Sequence, residues 1–259
     1  MSTAVHPTAI VAGGATLGEG VSVGPYAIIG EHVVLGEGCE VGAHAVVDGH
    51  TTLGPGCKIF PHAAVGFVPQ DLKYAGEPTR LEVGARNVIR EFATLHIGTE
   101  GGGGVTRLGD GNLVMAYAHI AHDCILGDGN ILANGATLAG HVTLEDHIIL
   151  GGLSAVHQFV RVGKNAFVSG GSMVAMDVPP YCTVQGDRAS LVGLNTVGLK
   201  RHGYSEASIK GIKAAYKELF RSGAGLREAI AQARAEFGDD PEVAHLIDFV
   251  EQSERGIAR

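Results

Sequence analysis

The sequence predicts a mainly β protein: a solenoid of six-residue repeats followed by a separate α-helical domain at the C-terminal end. Three observations carry that reading. Branched aliphatic residues recur at every sixth position over about two-thirds of the 259-residue chain. Glycine is abundant, with 40 residues, about twice its ordinary share of about 7 %, yet the Gly-x-y period of collagen is absent. After Pro179-Pro180 the beat stops and helix-forming sequence begins.

The beat starts at Val5 and runs through Val11, Leu17, Val23, Ile29, Leu35, Val41, Val47, Leu53, Ile59 and Val65. A period of six fits neither an amphipathic helix nor a plain alternating strand. It fits short strands joined by tight corners, with an aliphatic residue at position one and a small residue at position five turned inward. Position two is often glycine, as at Gly18, Gly24, Gly30, Gly36, Gly42 and Gly54. Cys39, Cys57 and Cys124 share position five with Ala15, Ala27, Ala45, Ala63 and Ala136, so they read as small buried residues. No disulfide is expected in a reducing compartment.

The beat breaks after Val65, resumes at Val83, Ile89 and Leu95, breaks again, and then runs from Leu108 to Val174. Val65 to Val83 spans 18 residues, twelve more than one hexad; Leu95 to Leu108 spans 13, seven more. Loops over 67–82 and 99–107 are therefore expected to leave the solenoid, and long excursions of this kind are usually functional. If both leave at one corner and three hexads complete a coil, Val65, Leu95, Ile120, Leu138 and Val156 begin hexads on one face.

The solenoid domain is expected over 1–190 and the helical domain over 191–259. Ser205 is placed to cap a helix over 206–221, whose apolar stripe is Ile209, Ile212, Tyr216, Leu219 and Phe220. A second helix is expected over 226–237. Asp240-Pro241, a cap followed by proline at the first helical position, opens a third over 242–251. These helices are expected to cover part of the solenoid and its open end, because exposed strand edges invite pairing.

The charge balance is 19 Lys and Arg against 27 Asp and Glu, a net −8. That argues against a general affinity for nucleic acid, which needs a basic footprint. Residues 1–10 lack the basic and apolar regions of a signal peptide. No apolar run reaches the length of about 18 residues that marks a membrane span. A cytoplasmic protein without an integral membrane segment is the simplest expectation.

His122, Gly140 and Gln158 lie 18 apart at position three, and would stack in one column if three hexads complete a coil. His96 and His157 fall at position two, His141 at position four, and His119 ends the hexad before His122. Lys73 lies on the loop leaving the same corner. Stacked histidines are partly a habit of this surface, since His32 and His50, and His44 and His62, are also 18 apart. The pair His119-x-x-His122 differs in lying beside both loops. An imidazole titrates near neutrality and suits proton abstraction from an alcohol. Gly140 has no side chain to block an amide facing a developing oxyanion. Asp123 is a candidate to orient His122, although neighbours in a strand usually point oppositely. No serine or cysteine stands out as a nucleophile, so direct attack by the acceptor is expected.

The repeat pattern resembles that of the hexapeptide-repeat acyltransferases, which implies a left-handed parallel β-helix with three hexads per coil. At a finer level the chain resembles the UDP-N-acetylglucosamine acyltransferases that open lipid A biosynthesis. The matching segments are Pro69-Gln70-Asp71, Leu72 to Arg80, Ala118 to Cys124, Ala139-Gly140-His141, Val156 to Phe159, Asp177 to Tyr181 and Gly198 to Arg201. The resemblance spans nearly the whole chain. It implies a homotrimer with sites between subunits, and transfer of a 3-hydroxyacyl chain from acyl carrier protein to the glucosamine 3-hydroxyl. It implies His122 as general base, Asp123 as its assistant and the Gly140 amide as oxyanion donor, with no cofactor and no metal. Gln70, Asp71, Lys73, His141 and Gln158 would hold the sugar nucleotide, and His96, His119 and His157 would line the cleft. Asn195, Arg201 and His202 would reach the nucleotide from the tail. Gly170 and Met173 would set acyl length.

This chain departs from the family pattern at His202, Ile97 and Arg188. Arg161, Lys164, Arg188, Lys200 and Arg201 are expected to form a basic landing site for the acidic carrier protein. Two rival activities remain on the sequence. One is N-acylation of a 3-amino analogue of the sugar nucleotide. The other is a zinc enzyme of the γ-carbonic-anhydrase type, with His96, His119 and His122 as ligands.

Overall fold

A computed structural model describes residues 2–259. The hexads form three sheets of 11, 9 and 8 strands, and consecutive strands pass from one sheet to the next. Three hexads complete a coil: Ala4 pairs in parallel with Ser22, and Leu138 with Val156, each 18 residues on. Most strands are only two residues long, because positions three and four are given to the corner. The position-one aliphatics and the small position-five residues fill the interior. Ile29, Val65, Leu95, Ile120 and Leu138, with Ala27, Ala45 and Ala118, are 0 % exposed.

Many corners carry a non-glycine residue at position four with φ near +60°, a conformation of modest intrinsic cost. It points the side chain away from the coil, so residues one coil apart stack. Tyr26, His44, His62, Phe92 and Tyr117 form such a ladder at 5.0–5.1 Å spacing. His32 and His50 stack at 4.3 Å. Histidine stacking is thus a general property of this surface, as the spacing suggested.

Both loops leave at the corner between the nine-stranded and eight-stranded sheets. Strand Ala64–Phe67 of the former is followed by Arg80–Val83 of the latter, and Thr94–His96 by Val105–Leu108. Val65, Leu95, Ile120, Leu138 and Val156 pair in one row, as counting requires. The loop ends pair with each other, Arg80 with Val105 and Leu81 with Thr106, and the Thr79 hydroxyl donates to the Gly98 carbonyl. The two excursions therefore form one walled unit.

The eleven-stranded sheet ends in an antiparallel pair, Cys182–Gln185 with Ser190–Leu194, which spans the expected boundary at 190. Helix α1 (Thr196–Arg201) follows, too short to be legible as a periodic pattern. The predicted helices appear as α2 (Glu206–Arg221), α3 (Leu226–Phe237) and α4 (Pro241–Glu251). Ser205 caps α2 by accepting from the Ser208 N–H, and Asp240 caps α4. Helix α4 lies on the last coils: Glu242 pairs with Lys164 at 2.5 Å and His245 with Glu145 at 2.7 Å. The four cysteines are buried and free, and burial pushes the Cys124 thiol up to about 12.

Candidate active site

The corner where both loops emerge is built around Asp123. It occupies position four with φ +60°, so it leaves the strand line and turns back against His122. The alternation of a strand does not apply there, and the expected obstacle to pairing these neighbours disappears. One Asp123 carboxylate oxygen accepts from the Thr99 N–H at 2.8 Å. The other accepts from the Thr99 hydroxyl at 2.6 Å and lies 2.7 Å from His122 Nδ1. The Asp123 backbone N–H donates to the Thr106 hydroxyl at 2.8 Å. Asp123 is fully buried at its side chain, whereas the His122 ring is 14 % exposed. A carboxylate offers its hydrogen-bonding partners only acceptor oxygens. The proton between it and His122 therefore belongs to Nδ1, which leaves the lone pair of Nε2 free to take a proton.

Thr99, Thr106 and Gly102 were not legible as site residues. Thr99 and Thr106 flank the second loop. A Cβ on Gly102 would fall on the Asp123 carboxylate. The only sequence signal was their place beside a break in the beat.

Gly140 lies one coil on from His122. A Cβ at Gly140 would come within 2.6 Å of His122 Cε1 and 2.8 Å of Nε2, so glycine is what lets the imidazole lie there. The Gly140 N–H donates to no group among the described residues. His141 stands edge-on to His122, with ring centroids 5.1 Å apart, and stacks on Phe159 at 4.4 Å. Its Nδ1 is 3.8 Å from the Asp123 carboxylate. Asp71, Lys73, Thr99, His141 and Phe159 line a cavity of about 400 Å³ between the loops. Asp71 also accepts from the Lys73 N–H at 3.0 Å, which turns the loop back at its tip.

The other expected residues lie as follows. His119 shares a hydrogen bond of 2.7 Å with Thr94, and His96 is 6 % exposed with Nδ1 2.7 Å from the Val68 carbonyl, where it anchors the first loop. Burial, followed by the neighbouring histidines, depresses His119 to about 4; burial likewise lowers His96 and His141. Gln70 and Gln158 are exposed. His157 is exposed and contacts Arg255 rather than the cluster. Ile97 is buried in the core, so this departure from the family pattern does not face the cleft.

Asn195, Arg201 and His202 line a different cavity, of about 380 Å³, together with His147, Ile149 and Phe167. The Asn195 side chain caps α1, and His202 stacks on His147 at 4.6 Å. No residue is shared between this cavity and the one at the loops.

The set His96, His119 and His122 forms no cluster of metal-ligand spacing among the described residues, because two of the rings turn to separate partners. His122, Asp123 and His141 do bring ligand atoms within 4.8 Å of one another. There, however, the carboxylate is already held by Thr99 and His122.

A relative from Myxococcus xanthus, an acyl-[acyl-carrier-protein]–UDP-N-acetylglucosamine O-acyltransferase, is 59 % identical over 98 % of this chain and 99 % of its own. The chain belongs to the UDP-N-acetylglucosamine O-acyltransferase family. A Sulfurovum acyltransferase of the same description is 53 % identical over 98 % of this chain and 97 % of its own. The solved structure of LpxA from Acinetobacter baumannii is 45 % identical, with a TM-score of 0.95 over 98 % of this chain and 99 % of that one. The Campylobacter jejuni UDP-N-acetylglucosamine acyltransferase is 39 % identical, with a TM-score of 0.94 over 98 % of both chains. The second-domain model of the UDP-N-acetylglucosamine O-acyltransferases matches residues 177–258, and the bacterial transferase hexapeptide model matches 14–49 and 106–140. Among the described residues of this acyltransferase, no helix is long and apolar enough to cross a membrane.

The depressed histidines of this acyltransferase give a pH dependence of stability. A histidine whose folded pKa lies below its unfolded value binds fewer protons when folded, so stability falls as pH drops from about 6.5 towards the folded value. For His119, at about 4, the loss over that window is on the order of 2–3 kcal/mol. The unfolding midpoint in denaturant is expected to fall between pH 7 and pH 4.5, and His119→Gln to flatten that dependence. An unchanged slope in the variant would assign the acid sensitivity elsewhere.

Proposed function

We propose that this enzyme transfers a 3-hydroxyacyl chain from acyl carrier protein to the glucosamine 3-hydroxyl of UDP-N-acetylglucosamine, the first step of lipid A biosynthesis. The observation that carries the mechanism is the Thr99–Asp123–His122 chain, which leaves His122 Nε2 as an oriented base beside a loop-walled cavity. His122 Nε2 takes the proton of the 3-hydroxyl as its oxygen attacks the thioester carbonyl. Asp123 stabilises the imidazolium that forms. The tetrahedral oxyanion accepts from the Gly140 N–H. Collapse breaks the carbon–sulfur bond, and the departing thiolate recovers the proton from Nε2, yielding ester and carrier thiol with no acyl-enzyme.

Asp71, Lys73 and His141 line the cavity that would take the sugar; Gln70, His119, His157 and Gln158 lie outside its lining and would meet parts of the substrates that extend beyond it. The acyl chain would run along the outer face of the nine-stranded sheet, where His119, Thr137, Ala155 and Met173 are successive neighbours. Gly170 lies at the far edge of that face. A Cβ there would sit 3.2 Å from the Gly152 carbonyl oxygen, so even alanine would narrow the path.

Asn195, Arg201 and His202 belong to a cavity separate from His122, and a homotrimer would bring them to the site from a neighbouring subunit. The net charge of −8 calls for a local landing site for an acidic carrier. Of the five expected cations, Lys164 is paired with Glu242 and Arg161 lies over Phe249, so both are engaged by α4. Arg188, Lys200 and Arg201 are exposed and are the ones left to meet the carrier. On this reading the enzyme works in the cytoplasm.

The test is thiol release from 3-hydroxyacyl carrier protein with and without UDP-N-acetylglucosamine. Release that requires the sugar nucleotide is expected. Sugar-independent release would indicate an acyl-enzyme, and release only with a 3-amino sugar nucleotide would make the product an amide.

A further inference from the structure

Beyond α4 the chain folds back onto the last coils. The Asp177 N–H donates to the Gly256 carbonyl and the Ala258 N–H to the Asp177 carbonyl, each at 2.9 Å. The Ser253 hydroxyl donates to the Asp177 carboxylate at 2.8 Å. Gly256 has φ +87°, and a Cβ there would lie 2.8 Å from the Met176 methyl, so the turn needs glycine. This pinned segment presents Arg255. Its Nε donates to the Ala175 carbonyl at 2.8 Å, and its Nη2 lies 2.7 Å from His157 Nδ1, a residue 98 positions earlier. His157 and Ala175 both take position two of hexads on the nine-stranded sheet, so one guanidinium spans two coils.

A guanidinium is a donor with no acceptor and keeps its proton in proteins. The nitrogen facing it must therefore accept, and the proton of a neutral His157 ring must sit on Nε2. The same Nδ1 also lies 3.1 Å from the Gln158 carbonyl, which can only accept. An Nδ1–H ring would satisfy Gln158 and leave Arg255 facing a donor. Arg255 thus selects between two tautomers that the local backbone alone would settle the other way.

We propose that Arg255 is a positioning residue that holds His157 as the Nε2–H tautomer, so that the ring offers a hydrogen-bond donor to an oxygen of the substrate. The proposal rests on the reading of this corner as the active site, because Val156 pairs with Leu138 and sets His157 one coil on from Ala139, the residue before Gly140 and His141. Hydrogen-bond direction is the point: an acceptor nitrogen in that place would repel the same oxygen.

The tautomer can be read directly from the ring-nitrogen shifts of the full-length protein, labelled with 15N-histidine, in mildly alkaline buffer, with His157→Gln to assign the signal. Wild type should show Nε2–H, and Arg255→Ala should move the ring towards Nδ1–H. kcat/KM should fall about tenfold in Arg255→Ala, the worth of one hydrogen bond. The double variant should lose no more than His157→Gln alone. An Nδ1–H ring in wild type would overturn the proposal even if Arg255→Ala does not fold. So would an unmoved tautomer in that variant, or additive losses in the double variant. A tautomer that shifts with no loss of kcat/KM would place His157 outside the site, overturning its role there without touching the His122 mechanism.

Discussion

His122→Ala should lower the rate of sugar-dependent thiol release by about 10²–10⁴-fold, the usual contribution of a general base. KM for the sugar nucleotide should change little, because the cavity wall is supplied by Asp71, Lys73 and His141. The substitution removes Nε2 and leaves its support intact: Thr99 still donates twice to Asp123. The fold should survive, since the His122 ring sits at a surface corner rather than in the coil interior. Steady-state kinetics together with a thermal melt decide the matter. A loss below about tenfold would move the base elsewhere, and His141, 3.8 Å from the same carboxylate, would be next to test.

Asp123→Asn should be nearly as damaging, by about 10²–10⁴-fold in kcat, for a different reason. An asparagine can still accept from the Thr99 N–H with its oxygen. Its amide group then faces His122 and donates to Nδ1, so the ring proton moves to Nε2 and the base is lost. Wrong-tautomer losses of this size are known for the aspartate of Ser-His-Asp triads. Asp123→Ala adds a second effect, because it leaves the buried Thr99 N–H without a partner, at a cost of about 1–3 kcal/mol. The Asn variant should therefore melt near wild type while the Ala variant melts lower. An Asn variant with near-normal kcat would show that the carboxylate does not set the tautomer.

The two variants separate chemistry from support, and the support was the part hidden from sequence. His122 and Asp123 were visible as a histidine-rich stretch of the beat beside its two breaks. Thr99 was not, because 24 residues separate it from Asp123 and its inward position-five place in the hexad is one that small residues fill everywhere in this chain. Gly102 lay within a run of four glycines with nothing to single it out. Arg255 was equally hidden: nothing in Ser253-Glu254-Arg255-Gly256 indicates a partner at His157. The strand rule weighed against pairing Asp123 with His122, and the corner φ of +60° removes that objection.

What the sequence determined by itself was the coil. A period of six, broken by twelve and seven residues, together with the three hexads per coil that the family resemblance implies, sets Val65, Leu95, Ile120, Leu138 and Val156 in one row once both loops leave at one corner. That follows because stacking repeats are local: each hexad meets only the hexads one coil away, so counting residues is equivalent to measuring along the axis. The helices of the tail were legible for the same reason, through caps and stripes read within a few residues. Only the tertiary structure decided where the loops and the C-terminal segment return. Those contacts join residues tens of positions apart through single hydrogen bonds whose direction depends on side-chain geometry, and no period in the chain encodes them.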